Sequence, residues 1–292
     1  MKNFKILAQM LTLITGLLFF AGCQQDETVS PNSAIDQRYD SPIVSPSTRP
    51  TTFYGLGTKN ELYTYTTSPL TKQDEVMLNG LQKEETMRSI DIRPATKELY
   101  GISDQDRIYR IDPSNGSVKP VSEKSFIPGV DAAVVGFDFD SKEDRIVVMA
   151  EDGQALKINP DNGQTEDIDA AVIPSQTGTN SVAHSGSSTT MAEPTLYTVD
   201  GSSGKVYRVD SGGNPILVGP TGLKMAGDAG FDITKDGTAM GAFLASGVVP
   251  DASGTHDDLS EEDFRVYTID LKSGSATNLG RVSPMIGMAV KQ

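Results

Sequence analysis

The chain of 292 residues contains no tryptophan, one cysteine and two histidines. A single thiol excludes an internal disulfide and every metal site built from several thiolates. Only His184 and His256 could act as the base of a nucleophilic triad, and neither has a triad context. His184 opens a Ser-rich run, and His256 precedes Asp257 and Asp258 in an acidic stretch. No G-x-S-x-G elbow and no G-x-x-x-x-G-K-[ST] phosphate loop occurs. No catalytic residue is therefore assigned. Cations are also in short supply: 25 Lys and Arg against 39 Asp and Glu leave a net charge of −14. That balance excludes a nucleic-acid partner, whose backbone is held by clustered Lys and Arg. The 37% of hydrophobic residues suffices for a packed core, and the length allows one large all-β domain or two ordinary ones.

Residues 1–22 read as an export leader. Lys2 and Lys5 precede an apolar run from Ile6 to Gly22 that Gln9, Thr12 and Thr15 interrupt. The run is too short and too polar for a bilayer-spanning helix, which needs about 20 apolar residues. The lone cysteine ends it, in Phe20-Ala21-Gly22-Cys23. This resembles the lipobox of bacterial lipoproteins, with Phe20 where that pattern usually has Leu. The resemblance implies that Cys23 is acylated and becomes the N-terminus, anchoring the protein in the bacterial envelope, with the outer membrane expected and surface exposure possible. Losing Lys2 and Lys5 takes the charge from −14 to −16, so anionic headgroups repel the protein and lipid must hold it. Gln24-Gln25-Asp26-Glu27 is either the acidic export tag of some surface lipoproteins or the start of a polar linker. From Gln24 to Thr52, 13 of 29 residues are Pro, Ser or Thr, a composition that cannot offset its ordering entropy. Residues 23–52 are expected to be a tether reaching on the order of 30 Å as a coil and roughly 95 Å when stretched.

From Phe53 the chain repeats. Ile90-Asp91-Ile92, Phe137-Asp138-Phe139 and Phe231-Asp232-Ile233 each open a unit. A second β-rich run follows, as in Leu99-Tyr100-Gly101, then a third, as in Ile108-Tyr109-Arg110-Ile111. Turns such as Asp112-Pro113-Ser114-Asn115-Gly116 and Asn159-Pro160-Asp161-Asn162-Gly163 come next, and a short fourth strand closes each unit. The spacing of 47 residues from Asp91 to Asp138 suits a four-stranded propeller blade. The repeat starts in mid-unit, with Phe53–Leu56 as a second strand, and ends at Ile286–Val290 as a first strand. We expect an all-β propeller over residues 53–292, with five four-stranded blades if Ser181-Val182-Ala183-His184 is a degenerate first strand. The C-terminal strand should pair into the N-terminal blade and remove both open edges.

The run from Arg93 through Leu99-Tyr100-Gly101 to Asn115-Gly116 resembles the repeat of an uncharacterised bacterial propeller-repeat family, domain of unknown function 4394. The likeness extends over nearly all of Phe53 to Val290 and implies a secreted or lipid-anchored propeller. It implies no activity and no site residues. The first unit departs from it at Ser68-Pro69-Leu70-Thr71.

Few residues suggest chemistry. Eight tyrosines, from Tyr54 to Tyr267, fall in second or third strands, where recurrence points to packing between blades rather than sugar stacking. Asp91, Asp138 and Asp232 could ring a channel and hold a cation, or accept hydrogen bonds from the neighbouring blade. Their repetition favours the structural role, and Gly287 at the fifth such position argues against a complete acidic ring. Asp138, Asp140 and Asp144 form a D-x-D-x-x-x-D cluster that could offer oxygens to Ca²⁺, though a solvated turn is the plainer account. No cofactor is assigned, and Ca²⁺ is the one ion the pattern admits.

Loop length is asymmetric. Short turns join first to second and third to fourth strands. The longer connections, Asn79–Arg88, Glu123–Ala132, Asp169–Gly178 and Gly247–Glu262, all reach the opposite face. That face is the expected recognition surface. Asp257, Asp258, Glu261 and Glu262 on it would favour a basic or cation-bridged ligand. The expected function is non-catalytic binding or scaffolding by a monomer, with an envelope protein or extracellular ligand as partner. The rival is a propeller hydrolase or lyase acting on extracellular sugars or lactones around a channel metal.

Overall fold

The structure is a computed structural model and describes residues 50–130, 132–150, 152, 154–167, 179–185, 195–210, 214–234, 236–250, 256–259 and 264–291. Cys23 and the expected leader and tether up to residue 49 lie outside the described residues.

The described residues contain no helix and build five sheets with one plan. Blade 1 holds β1 (Thr52–Leu56), β2 (Glu61–Thr66) and β3 (Thr71–Met77). Blade 2 comprises β4 (Met87–Ile92), β5 (Leu99–Ser103), β6 (Ile108–Ile111) and β7 (Val118–Pro120). Blade 3 comprises β8 (Val134–Asp140), β9 (Arg145–Ala150), β10 (Ala155–Ile158) and β11 (Thr165–Asp167). Blade 4 runs through β12 (Thr179–Ser185), β13 (Thr195–Asp200), β14 (Lys205–Val209) and β15 (Pro215–Pro220). Blade 5 contains β16 (Lys224–Ile233), β17 (Ala239–Pro250), β18 (His256–Leu259), β19 (Phe264–Ile269) and β20 (Ala276–Arg281). The last strand, β21 (Gly287–Val290), returns to blade 1 and pairs antiparallel with β1, Phe53 opposite Val290 and Leu56 opposite Gly287. Blade 1 is thus a four-stranded sheet in the order β21-β1-β2-β3. The five innermost strands touch in a closed cycle, β4 to β8, β12, β16, β21 and back to β4. The protein is a five-bladed β-propeller sealed by its C-terminal strand.

Local chemistry explains the repeat. In the third-to-fourth turns of blades 2, 3 and 5 a polar side chain holds the bend and a glycine completes it. The Asp112 carboxylate accepts hydrogen bonds from the Ser114 N–H (2.9 Å) and hydroxyl (2.7 Å). Gly116 then turns at φ 73° and donates its N–H to the Asp112 carbonyl. Asn159 with Gly163 and Asp270 with Gly274 repeat the device.

One apolar cluster fills each junction between blades. Ile90, Leu99 and Tyr109 of blade 2 pack on Tyr54, Leu56 and Leu62 of blade 1. Tyr100 meets Phe137 and Phe139 between blades 2 and 3, and Val147 and Met149 meet Val182 and Leu196 between blades 3 and 4. Tyr197 and Tyr267 lie in the junction of blades 4 and 5. Tyr63 and Tyr65 join Met240, Val266 and Met288 between blades 5 and 1. Seven of the eight tyrosines, all but the half-buried Tyr207, are therefore cement between blades, each contributing on the order of 2–3 kcal/mol of transfer energy when fully buried. Arg93 adds an ionic clasp between blades 2 and 3. It forks onto Asp144 at 2.9 and 2.6 Å, reaches Asp161 at 2.7 and 3.2 Å, and donates to the Tyr100 hydroxyl at 3.3 Å.

The structure corrects the expected position of the fifth axial residue. Asp91 faces Tyr100, Asp138 faces Val147 and Asp232 faces Met240 across the first and second strands. In the same register Ala183 faces Tyr197 and Ala289 faces Tyr54. The ring position in blade 1 therefore belongs to Ala289, two residues beyond Gly287. Gly287 instead lies against the backbone of Ser89 and Ile90.

Candidate functional site

Two places could carry function: the propeller axis and the face with the long connections. At the axis the three aspartates recurring in first strands are drawn together. Asp91, Asp138 and Asp232 are 4%, 4% and 3% exposed, and one carboxylate oxygen of each lies within 4.8 Å of the others. Asp91 accepts the Ile92 N–H at Oδ1 (2.6 Å) and the Phe139 N–H of the next blade at Oδ2 (2.9 Å). Asp232 does the same with Ile233 and Val290, both at 2.5 Å. Each of these carboxylates thus satisfies the N–H following it and one N–H in the adjoining innermost strand. Asp138 holds the same register position and is also engaged.

This environment disfavours charge. Burial, then Asp138 and Asp232, push Asp91 well above its usual value of 3.8. Burial, then Asp138, do the same to Asp232. Buried carboxylates this close resist carrying charge together, so Asp91 and Asp232 either keep their protons or are joined by a cation. Buried as they are, the carboxylates offer no open surface to an external substrate.

The D-x-D-x-x-x-D cluster is dispersed. Asp138 points to the axis cluster, Asp140 accepts the Lys142 and Glu143 N–H groups of its own turn, and Asp144 pairs with Arg93. Asp138 alone shares a convergent carboxylate group.

The long-connection face is built rather than loose. Residues 78–86, between β3 and β4, are pinned by Glu85, whose side chain is fully buried. Its carboxylate pairs with Arg107 and the Tyr109 hydroxyl, and accepts from the Ser103 hydroxyl (3.2 Å) and the Gln82 N–H (3.0 Å). Burial and Glu85 push Tyr109 up to about 12, so it remains a neutral donor. Thr86 is tied to Asp104 by two bonds of 2.9 and 2.8 Å. The next connection, between β7 and β8, is fastened by Phe126 N–H to the Asp106 carbonyl and Val130 N–H to the Asp106 carboxylate. It presents Ile127 at 86% exposure. Neither Glu85 nor Arg107 stands out in the sequence, where they lie 22 residues apart.

Gly247–Glu262 is not a simple loop. β17 runs on past β19 and pairs with β18, Gly247 opposite Leu259 and Pro250 opposite His256. Asp257 and Asp258 stand on this ribbon, opposite Val249 and Val248. Glu261 and Glu262 lie outside the described residues. Asp, Gly and Pro are poor strand formers, which explains why a ribbon here was not expected.

Residues 61–289 match the family described as Domain of unknown function (DUF4394). No curated protein matches the sequence. Among solved structures, virginiamycin B lyase from Staphylococcus aureus is 11% identical with a TM-score of 0.40, covering 80% of this chain and 71% of that one. A protein of unknown function from Bacteroides thetaiotaomicron is 11% identical with a TM-score of 0.46, and the match spans 81% of this chain but 59% of that one. A chain of a nidogen/laminin complex is 10% identical with a TM-score of 0.44, covering 84% and 99%.

Proposed function

The chain belongs to the DUF4394 family, and as that description assigns no activity, we propose from the geometry that it is a non-catalytic binding or scaffolding propeller of the bacterial envelope. The observation that carries this reading is the use of the axial carboxylates. Both oxygens of Asp91 and of Asp232 are taken up by backbone N–H groups, one within the blade and one in the next. Groups spent on stitching blades together are not free to move protons for a substrate. The recognition surface is the face bearing residues 78–86, residues 121–133 and the β17–β18 ribbon. Its pinned connections suit binding, because little conformational freedom is lost on association. Acidic Asp257, Asp258, Glu261 and Glu262 favour a basic or cation-bridged partner. Acylation at Cys23 and a tether over residues 23–52 would hold a monomer at the outer membrane, within reach of an envelope protein or extracellular ligand.

The test replaces residues 248–258 by a two-residue turn and compares captured partners from native envelopes, together with the thermal midpoint. The reading predicts an unchanged midpoint and loss of the partner held by the intact chain. Capture of the same partner by both forms would contradict it.

A channel cation is the second reading, favoured by the approach of three carboxylates within 4.8 Å. The fit is partial, since Ca²⁺ takes six to eight oxygens and four of those present already accept backbone hydrogens. If bound, the ion would supply positive charge at the axis, and the rival hydrolase or lyase activity would require it to be reachable. Stabilisation by Ca²⁺ would favour this second reading.

A further inference from the structure

The short-turn face holds a cleft that neither reading uses. It opens between blades 1 and 2 with a volume of about 560 Å³, within the range of small-molecule sites. Its origin is the closure itself. In blades 2, 3 and 5 a connection spans the innermost and second strands, over residues 93–98, 141–144 and 234–238. In blade 1 those strands are β21 and β1, which no connection joins, so among the described residues no turn crosses the crevice at that point.

The floor is apolar: Ile92, Leu99 and Ile111 line it and belong to the core of blades 1 and 2. Tyr54 also lines it, at 8% exposure. Its hydroxyl makes no hydrogen bond among the described residues, and burial raises its pKa, so it stays a neutral donor. The rim carries Lys97, Lys119 and Lys291. None of the three forms an ion pair among the described residues, in a chain whose net charge is −14. Two acids stand alongside, Glu98 and Asp112; Asp112 is committed to its turn through Ser114 and Asn115 and also feels the Lys119 charge. Three ammonium groups outside any ion pair among the described residues, outnumbering the two acids beside them, and a phenol hydroxyl with no protein partner among those residues surround an apolar floor and favour an anion with an apolar body.

We propose that this cleft binds a small soluble organic anion, with its apolar body over Ile92, Leu99 and Ile111 and its phosphate or carboxylate held by Lys97, Lys119, Lys291 and the Tyr54 hydroxyl. Lys97 comes from the first turn of blade 2, Lys119 from its outermost strand and Lys291 from the residue after β21. A ligand there would bridge the seam where the ring closes and stabilise the closed form by mass action.

The test uses the full chain carrying Cys23→Ser, so that no lipid confuses the result, with benzyl phosphate as probe in titration calorimetry. Benzyl phosphate should bind about tenfold or more tightly than either benzyl alcohol or inorganic phosphate, the scale of one charge-assisted hydrogen bond. Lys119→Glu and Lys291→Glu should each weaken it about tenfold with no change in thermal midpoint, and Tyr54→Phe severalfold. No binding at millimolar probe, equal binding of benzyl alcohol, or indifference to both charge reversals would overturn the assignment. Phosphatidylglycerol vesicles form a second arm. Co-sedimentation that disappears with Lys119→Glu would overturn a soluble ligand in favour of a lipid headgroup. Since this cleft lies on the face opposite the β17–β18 ribbon, removing that ribbon should leave probe binding intact.

Discussion

Asp232 accepts a hydrogen bond at 2.5 Å from the backbone N–H of Val290, 58 residues further along the chain. That one contact ties blade 5 to the strand that completes blade 1. It repeats the bond from Phe139 N–H to Asp91 that ties blade 3 to blade 2. The same side chain thus serves an ordinary junction and the seam where the ring closes. The seam is built like the rest, which accounts for a ring with no open innermost edge.

Close approach at that seam depends on the absence of a side chain at Gly230. A Cβ there would lie 2.4 Å from the Met288 Cβ and 2.8 Å from its backbone nitrogen. Gly230→Ala should therefore force β16 from β21 and lower stability by roughly 1–3 kcal/mol. A reduced urea midpoint with unchanged slope is the expected result.

Glu85 sits at the base of the long-connection face with its side chain fully buried. Glu85→Ala would leave Arg107 and the Tyr109 hydroxyl without their shared partner, at a cost of roughly 3–5 kcal/mol. Thermal unfolding should show the loss, and amide exchange over residues 78–86 should accelerate more than exchange in blade 4.

Arg93 links three elements through its planar fork, which a lysine cannot reproduce. Arg93→Lys should cost about 1–3 kcal/mol by equilibrium unfolding. The guanidinium also holds Asp161 below its usual value of 3.8. Stability from that pair is present above this value and is lost as pH falls through the lowered one. The acid limb of the wild-type curve should flatten in the variant.

How far the architecture could be read in advance depended on how local its causes are. The Asp112–Gly116 and Asn159–Gly163 turns hold themselves by contacts inside the turn, so their sequence suffices. The half-blade at Phe53–Leu56 and its complement at Gly287–Val290 were legible for the same reason, as strand-length runs. The register of β21 was not. All four of its residues are buried, so no alternation marks which one faces the axis. Glu85 was hidden because its partner Arg107 stands 22 residues away. The cleft beside Tyr54 could not be seen because Lys291 and Lys97 meet only once the ring has closed. Repetition of Asp91, Asp138 and Asp232 pointed to hydrogen bonds from the neighbouring blade, and Asp91 and Asp232 accept them; which N–H meets each oxygen appears only in three dimensions.

The most direct test of a stitched axis in which Asp91 and Asp232 resist ionising is the thermal midpoint of the chain as a function of pH, with and without millimolar Ca²⁺. Asp91 and Asp232 are raised above 3.8 in the fold, so the folded state binds more protons than the unfolded one between that value and the raised ones. Their stabilising contribution is complete below about pH 4 and is lost as pH rises through the raised values. The account predicts a midpoint that falls over that window, a shallower fall in Asp138→Asn, and no response to Ca²⁺. A midpoint insensitive to pH above about 4 but raised by Ca²⁺ would contradict it.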